Sequence, residues 1–224
     1  MHRTIVLAVL ATAAYAVDGW ERIDPVQGSI GFSVASMTSS NVSLGPMSKS
    51  WSDATRGEIY FRSYYPMSQG VQPFFEATLF EDSQNYSEND GRIDCDTFGL
   101  GLSFGGTVVP FQDGPKQGLV GLGIMPYVRF AVGSSDVYIK DLVYDDQIIE
   151  GSGSVGRLDF GGGADIRLTV GRHLEAALGG GINFWRSADI DAVVTDQGTL
   201  VRVSESIDFS GRDVFLRASF GFSF

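Results

Sequence analysis

Apolar and polar side chains alternate with a period of two along most of this chain, and that pattern limits its fold more than any other feature does. The last segment places Val214, Leu216, Ala218, Phe220, Phe222 and Phe224 on one side, against Asp213, Arg217, Ser219, Gly221 and Ser223 on the other. Phe215 is the exception on the polar side. Leu174, Ala176, Leu178, Ile182 and Phe184 repeat the pattern one segment earlier, as do Leu158, Phe160, Ala164, Ile166, Leu168 and Val170 before them. Successive side chains of a strand point to opposite faces, so each run reads as a strand with one oily face. Five further runs bring the number to eight: Ile30 to Val34, Ile59 to Phe61, Phe75 to Leu79, Phe98 to Phe104 and Val120 to Val132. Beyond the N-terminus no stretch supplies the run of about 18 apolar residues that a membrane helix needs, so a membrane reading has to use strands.

The composition narrows the classes. Gly accounts for 29 of 224 residues, 43% of the chain is hydrophobic, 19% is charged and the net charge is −11. This excludes a disordered tail protein, and the acidic balance argues against nucleic acid as a partner. The single cysteine, Cys95, excludes an internal disulfide framework and a cysteine zinc site. Residues 1–16 read as a signal peptide: Met1-His2-Arg3 is a basic start, Thr4 to Ala13 an apolar run, and Ala14-Tyr15-Ala16 a small-x-small cleavage pattern. Residues 17–27 then form a short periplasmic leader, and 28–224 a single β domain.

The connections give the domain its polarity. Those at 66–70, 110–117 and 171–173 are short, whereas those around 38–55, 82–92, 134–154 and 187–210 are mostly longer and polar. Strict alternation of short and long links fits an up-and-down barrel whose termini and tight turns lie on the periplasmic side. Runs of about ten residues suit a tilted membrane strand better than the five or six usual in soluble sheets. The expected fold is therefore all-β, an eight-stranded antiparallel up-and-down transmembrane β-barrel. Asp196-Gln197-Gly198 reads as the turn of a hairpin standing above the membrane, and Ser210-Gly211 as a bulge that resets the parity.

The ending from Val214 to Phe224, with its alternating aromatics and final Phe, resembles the terminal strand of bacterial outer-membrane barrels. Eight strands with alternating loop lengths make the chain similar to the OmpA transmembrane domain and to OmpX-like small barrels. That resemblance covers about residues 28–224 and implies a place in the bacterial outer membrane. It also implies contact with outer-membrane lipids and lipopolysaccharide, and an assembly signal at Phe220, Phe222 and Phe224 read by the barrel-assembly machinery.

With the oily faces toward lipid, Glu58, Arg62, Glu76, Arg129, Arg157, Asp159, Asp165, Arg167, Glu175, Asp213 and Arg217 face the lumen. An eight-stranded barrel is only wide enough for side chains to fill, so these charges are expected to pair across it rather than line a channel. Asp165 is the nearest acidic candidate for Arg167. The alternatives are a narrow passive pore or hydrophobic-solute conduit and, further off, a lipid A-modifying enzyme.

Other motifs read as structural. Gly101-Leu-Ser103-Phe-Gly105 fits the hydrolase pattern Gly-x-Ser-x-Gly, but that chemistry needs a strand-to-helix turn and this motif lies within a strand. Gly151 to Gly156 fits Gly-x-Gly-x-x-Gly yet opens no helix, so it reads as a flexible loop. His173 reads as a turn residue and Cys95 as a small strand residue near the outer rim. Acidic groups gather in the external loops: Glu81, Asp82, Glu88, Asp90, Asp94 and Asp96, then Asp141, Asp145, Asp146 and Glu150, then Asp189, Asp191 and Asp196. Weak divalent-cation bridging to lipopolysaccharide is the secondary expectation there. No cofactor, resident metal or enzyme activity is expected, and the role is structural or surface interaction through the extracellular loops.

Overall fold

The computed structural model describes residues 27–45, 47–50, 53–65, 71–88, 91–108, 120–170, 173–198 and 201–224. The expected signal peptide and nearly all of the leader lie outside them. Every regular element is a strand: β1 (Gln27–Leu44), β2 (Met47–Ser50), β3 (Asp53–Tyr64), β4 (Val71–Glu88), β5 (Gly91–Val108), β6 (Val120–Tyr144), β7 (Gln147–Val170), β8 (Leu174–Ser187), β9 (Ile190–Asp196), β10 (Arg202–Ile207) and β11 (Phe209–Ser223). All pairings are antiparallel, and eight strands close a ring in the order β1-β3-β4-β5-β6-β7-β8-β11, with β11 returning to β1. At the seam Gly28 and Phe224 exchange backbone hydrogen bonds of 3.1 and 2.9 Å. Closure leaves no sheet edge around the ring, and the molecule is an eight-stranded up-and-down β-barrel.

The lower part is oily outside. Leu158 and Leu178 are 66% and 64% exposed, and similar outward residues occur on the other strands of the ring, among them Phe32, Ile59, Phe98, Phe130 and Leu216. On β5 this belt runs from Phe98 to Val108. At about 3.3 Å per residue and a tilt near 40° it is roughly 25 Å tall, the height of a hydrocarbon layer. A continuous apolar belt of this kind finds its solvent in lipid rather than in water.

Above the belt the strands do not stop. The segments 38–44, 82–88, 134–144 and 147–154, expected as polar loops, continue as paired strand. Gly151–Gly156, expected as a flexible loop, pairs residue by residue with Ser134–Ile139. Their outward residues are mostly charged or small and polar, Tyr138 and Val143 excepted, which makes the sequence look like loop. Their inward residues are mostly apolar above Asp82, Gln84, Ser40 and Ser135, and a strand period is still present with its meaning reversed. On β6 the outward side chains pass from Val128, Phe130 and Val132 to Asp136 and Lys140, while the inward ones pass from Arg129 to Val137 and Ile139.

Two register shifts trim this upper wall, between Met37 and Ser39 on β1 and between Ile139 and Leu142 on β6. The first places Ser40, Val42 and Leu44 inward where Ala35 had been. The bulge expected at Ser210-Gly211 is not formed: β11 pairs through that point in register on both sides, and the shift on β1 falls opposite Val214 and Phe215. Gly211 is needed for space, because a Cβ there would come within 2.4 Å of the Trp185 ring. The β6–β7 hairpin closes on Asp145-Asp146, both at positive φ (48° and 61°), the geometry that a two-residue turn between twisted strands requires. β9 and β10 form the expected hairpin around Gln197-Gly198, and β9 pairs with the top of β7.

Candidate functional site

The interior has three zones: an apolar cap in the upper wall, a charged column that runs through the belt and just above it, and a small, mostly aromatic floor. The floor is Tyr64, Phe74, Met125 and Tyr127. The cap gathers inward residues from many strands around Trp185, Phe209, Val42, Ile93, Val137 and Ile190. Trp185 meets Phe209 edge-on with ring centroids 5.0 Å apart.

All eleven charged residues read from sequence as inward-facing are buried, and Arg56 and Asp82 join them, making six guanidinium groups against seven carboxylates among the described residues. They sort into three tiers, each with two arginines and two matched carboxylates. In the top tier Arg56 reaches Asp82 at 2.9 Å and Asp159 at 3.0 Å, and Arg157 reaches the same two at 3.1 and 2.7 Å. Asn183 donates to Asp159 at 3.0 Å. In the middle tier Arg129 pairs with Glu58, and Arg217 pairs with Asp165 and lies 3.5 Å from both Glu58 and Glu76, which ties this tier to the one below. In the bottom tier Arg62 binds Glu76, and Arg62 and Arg167 approach Glu175 at 2.9 and 3.0 Å. Ser29, Tyr60 and Tyr64 also donate to Glu175. The partner of Arg167 is thus Glu175, not Asp165, because Thr169 lies opposite Glu175 across the β7–β8 hairpin and brings the two side chains onto one diagonal.

Aromatic rings cover the faces of these cations. The guanidinium of Arg157 lies 4.5 Å from the Trp185 ring, that of Arg56 4.7 Å from Phe80, and that of Arg167 4.1 Å from Tyr64. Planar stacking plus forked hydrogen bonds is what arginine can do and lysine cannot, and every basic group in the column is arginine. The seventh carboxylate, Asp213, is fully buried below the cap and accepts hydrogen bonds from Ser40 and Gln84.

Asp82 was expected in an external loop. It is instead fully buried in the top tier, because β4 continues inward-outward alternation through Phe80, Asp82, Gln84 and Tyr86. Arg56 escaped notice because its strand was expected to begin later, although it keeps the parity of Glu58, Tyr60 and Arg62. The other acidic residues of the wall, Glu81, Glu88, Asp94, Asp96, Asp141, Asp145, Asp146, Glu150, Asp189, Asp191 and Asp196, are exposed or half-buried. Asp90 lies outside the described residues. Ser103 is buried inside uninterrupted β5, opposite Glu76 and Arg129. Cys95 is buried in the cap, 3.8 Å from Thr97. His173 is exposed at the foot of the barrel, with Nδ1 3.2 Å from the Ser223 carbonyl. Phe220, Phe222 and Phe224 line the seam at the belt's lower edge, where Phe220 meets Phe32 and Phe224 meets Phe61.

No known family profile matches the sequence, and no curated protein matches it. Among solved structures the chain is similar to Ail, the attachment invasion locus protein of Yersinia pestis, at 10% identity and a TM-score of 0.42, covering 89% of this chain and 99% of that one. It is similar to a major outer membrane protein from Thermus thermophilus at 11% identity and a TM-score of 0.45, covering 87% and 99%. OprG, an outer membrane protein of Pseudomonas aeruginosa, matches at 14% identity and a TM-score of 0.34, covering 89% and 96%. The architecture of this chain rests on its own closed ring.

Proposed function

We propose that the protein is an integral β-barrel of the bacterial outer membrane, exported by a cleaved signal at residues 1–16, that serves as a structural or surface-interaction protein through the wall it raises above the membrane. The observation that carries this reading is the reversal of facing along single strands. Up to Val132 on β6 the outward residues suit lipid, and above it they turn mainly polar through Ser134, Asp136 and Lys140, with Tyr138 and Val143 the apolar exceptions. A chain whose strands are continuous across that reversal holds its outer surface rigidly at a fixed height. The reading assigns no catalysis to Ser103, which has no strained turn and no access. It favours a filled interior over a pore, since three paired tiers and an apolar cap occupy the path.

Planar-bilayer recordings of the purified protein test the second point, with no steady conductance expected. Steady ion-selective openings would replace this reading with the pore. Sidedness is tested by an impermeant maleimide on intact cells, in a Cys95→Ser background. Gly198→Cys is expected to label and His173→Cys to stay protected, and the reverse result would overturn the orientation.

A further inference from the structure

The first outward residues above the oily belt form a collar, and its charge is polarised. Glu81 on β4 and Asp96 on β5 face Arg186 on β8 and Arg212 on β11 from the opposite side of the ring, four strands away in either direction. At the same height β6, β7, β1 and β3 contribute only serine or glycine. Arg186 lies opposite Ser210 and Arg212 opposite Phe184, so the two arginines are diagonal neighbours. Diagonal Cα atoms on a sheet face are about 7–8 Å apart, close enough for two guanidinium groups to flank one phosphate.

Directly beneath them stands an apolar wall of Phe184, Ile182 and Leu216, which are 50%, 44% and 59% exposed. Among the described residues Arg212 has no ion-pair partner. Arg186 contacts Asp208 at 3.2 Å, but with side chains 72% and 49% exposed this is a solvated pair that a stronger anion can displace. Two cations above an exposed hydrocarbon surface match an amphiphile with an anionic head. We propose that Arg186 and Arg212 bind the phosphate of an outer-leaflet lipid whose acyl chains lie on Phe184, Ile182 and Leu216. This inference rests on the outer-membrane reading above and names the lipid-binding face within it. It also divides the collar, since the Glu81 and Asp96 side repels the same headgroups.

The test uses the full folded protein in detergent, titrated with bisphosphorylated lipid A and read by native mass spectrometry. Each basic residue at a membrane surface contributes about a fivefold gain, so Arg186→Gln with Arg212→Gln is expected to weaken binding roughly 30-fold. The Arg186→Lys, Arg212→Lys pair is expected to retain most of the affinity, and Asp208→Asn to tighten it by freeing Arg186. Glu81→Gln with Asp96→Asn is expected to leave this site unchanged. Heat-modifiable gel mobility establishes that each variant is folded. Undiminished binding by the folded double-Gln variant, equal binding of dephosphorylated lipid A, or complete displacement by millimolar inorganic phosphate would each overturn the proposal. Binding in detergent does not depend on sidedness, so a failed labelling result would sink the orientation and leave this test standing.

Discussion

The belt and the wall are built from the same strands, yet each inverts the other. In the belt Phe130 points to lipid and Arg129 into the barrel, whereas further up the same strand Asp136 points to water and Val137 inward. A period of two therefore reports that a segment is a strand, and the residue types at each phase report which solvent lies outside. The two interiors are also held differently. The wall has an apolar core of the sort that drives soluble folding, while the belt, already surrounded by hydrocarbon, fills its interior with paired charge.

The belt is expected to be most sensitive to loss of one charge. Arg62→Met takes from Glu76 and Glu175 the cation they share, leaving Glu76 with Arg217 at 3.5 Å and Glu175 with Arg167 at 3.0 Å. Breaking a buried pair from one side costs about 3–5 kcal/mol, so the temperature at which the folded gel band disappears should drop sharply. Adding Glu76→Gln should restore part of the loss. An unchanged transition would mean that the belt does not depend on its charge column.

Phe209→Ala tests the wall by the opposite chemistry. It removes a fully buried ring from beside Trp185, a change that costs about 3–5 kcal/mol in a packed core and less where the core can collapse. Proteolysis from outside should then cut β9, β10 and the upper ends of β6 and β7 while the belt stays folded. Simultaneous loss of both regions would show one cooperative unit instead of two.

Arginine placed outward separates the regions next. Val128→Arg, midway up the belt, is expected to cost about 2–4 kcal/mol of folding stability in lipid, and Val143→Arg, 54% exposed on the wall, less than about 0.5. Equal costs would abolish the distinction between their solvents.

The sequence displayed the belt better than the wall. Oily residues at every second position made β7, β8 and β11 plain, and the charges between them, from Arg157 to Arg217, follow by parity. Segments such as 134–144 and Gly151–Gly156 looked like loop because hydrophobicity was sought on the outward phase, whereas Val137, Ile139 and Leu142 carry it inward. Partner identity was hidden as well. Parity places Arg167 and Asp165 on one face, but only the hairpin register, with Thr169 opposite Glu175, decides which carboxylate Arg167 meets. Arg56 and Asp82 required knowing that β3 and β4 extend above the belt.

The smallest effect is expected at the wall's tip and depends on pH and salt. Lys49 Nζ lies 2.6 Å from Glu88, and Tyr86 also donates to that carboxylate. The hydrogen bond from Lys49, then that from Tyr86, lowers the Glu88 pKa from its ordinary 4.5. The same bond, accepted by Glu88, raises the Lys49 pKa above 10.5. A lowered carboxyl pKa stabilises fully above the unfolded value and ceases to do so as pH falls through the folded one. The raised ammonium stabilises fully below 10.5 and loses its effect only at higher pH. Protection of the β1–β2 tip amides, measured relative to their intrinsic exchange rates at each pH, is therefore expected to be level between these limits and to fall below about pH 4.5. Lys49→Met should remove most of that acid dependence. Because the pair is solvated, about 1 M salt should have a similar effect, while the Arg62–Glu175 pair, sealed at 1–2% exposure, should not respond. A salt response of the same size at both pairs would mean that water and ions reach the column, and the contrast between belt and wall would then fail at its centre.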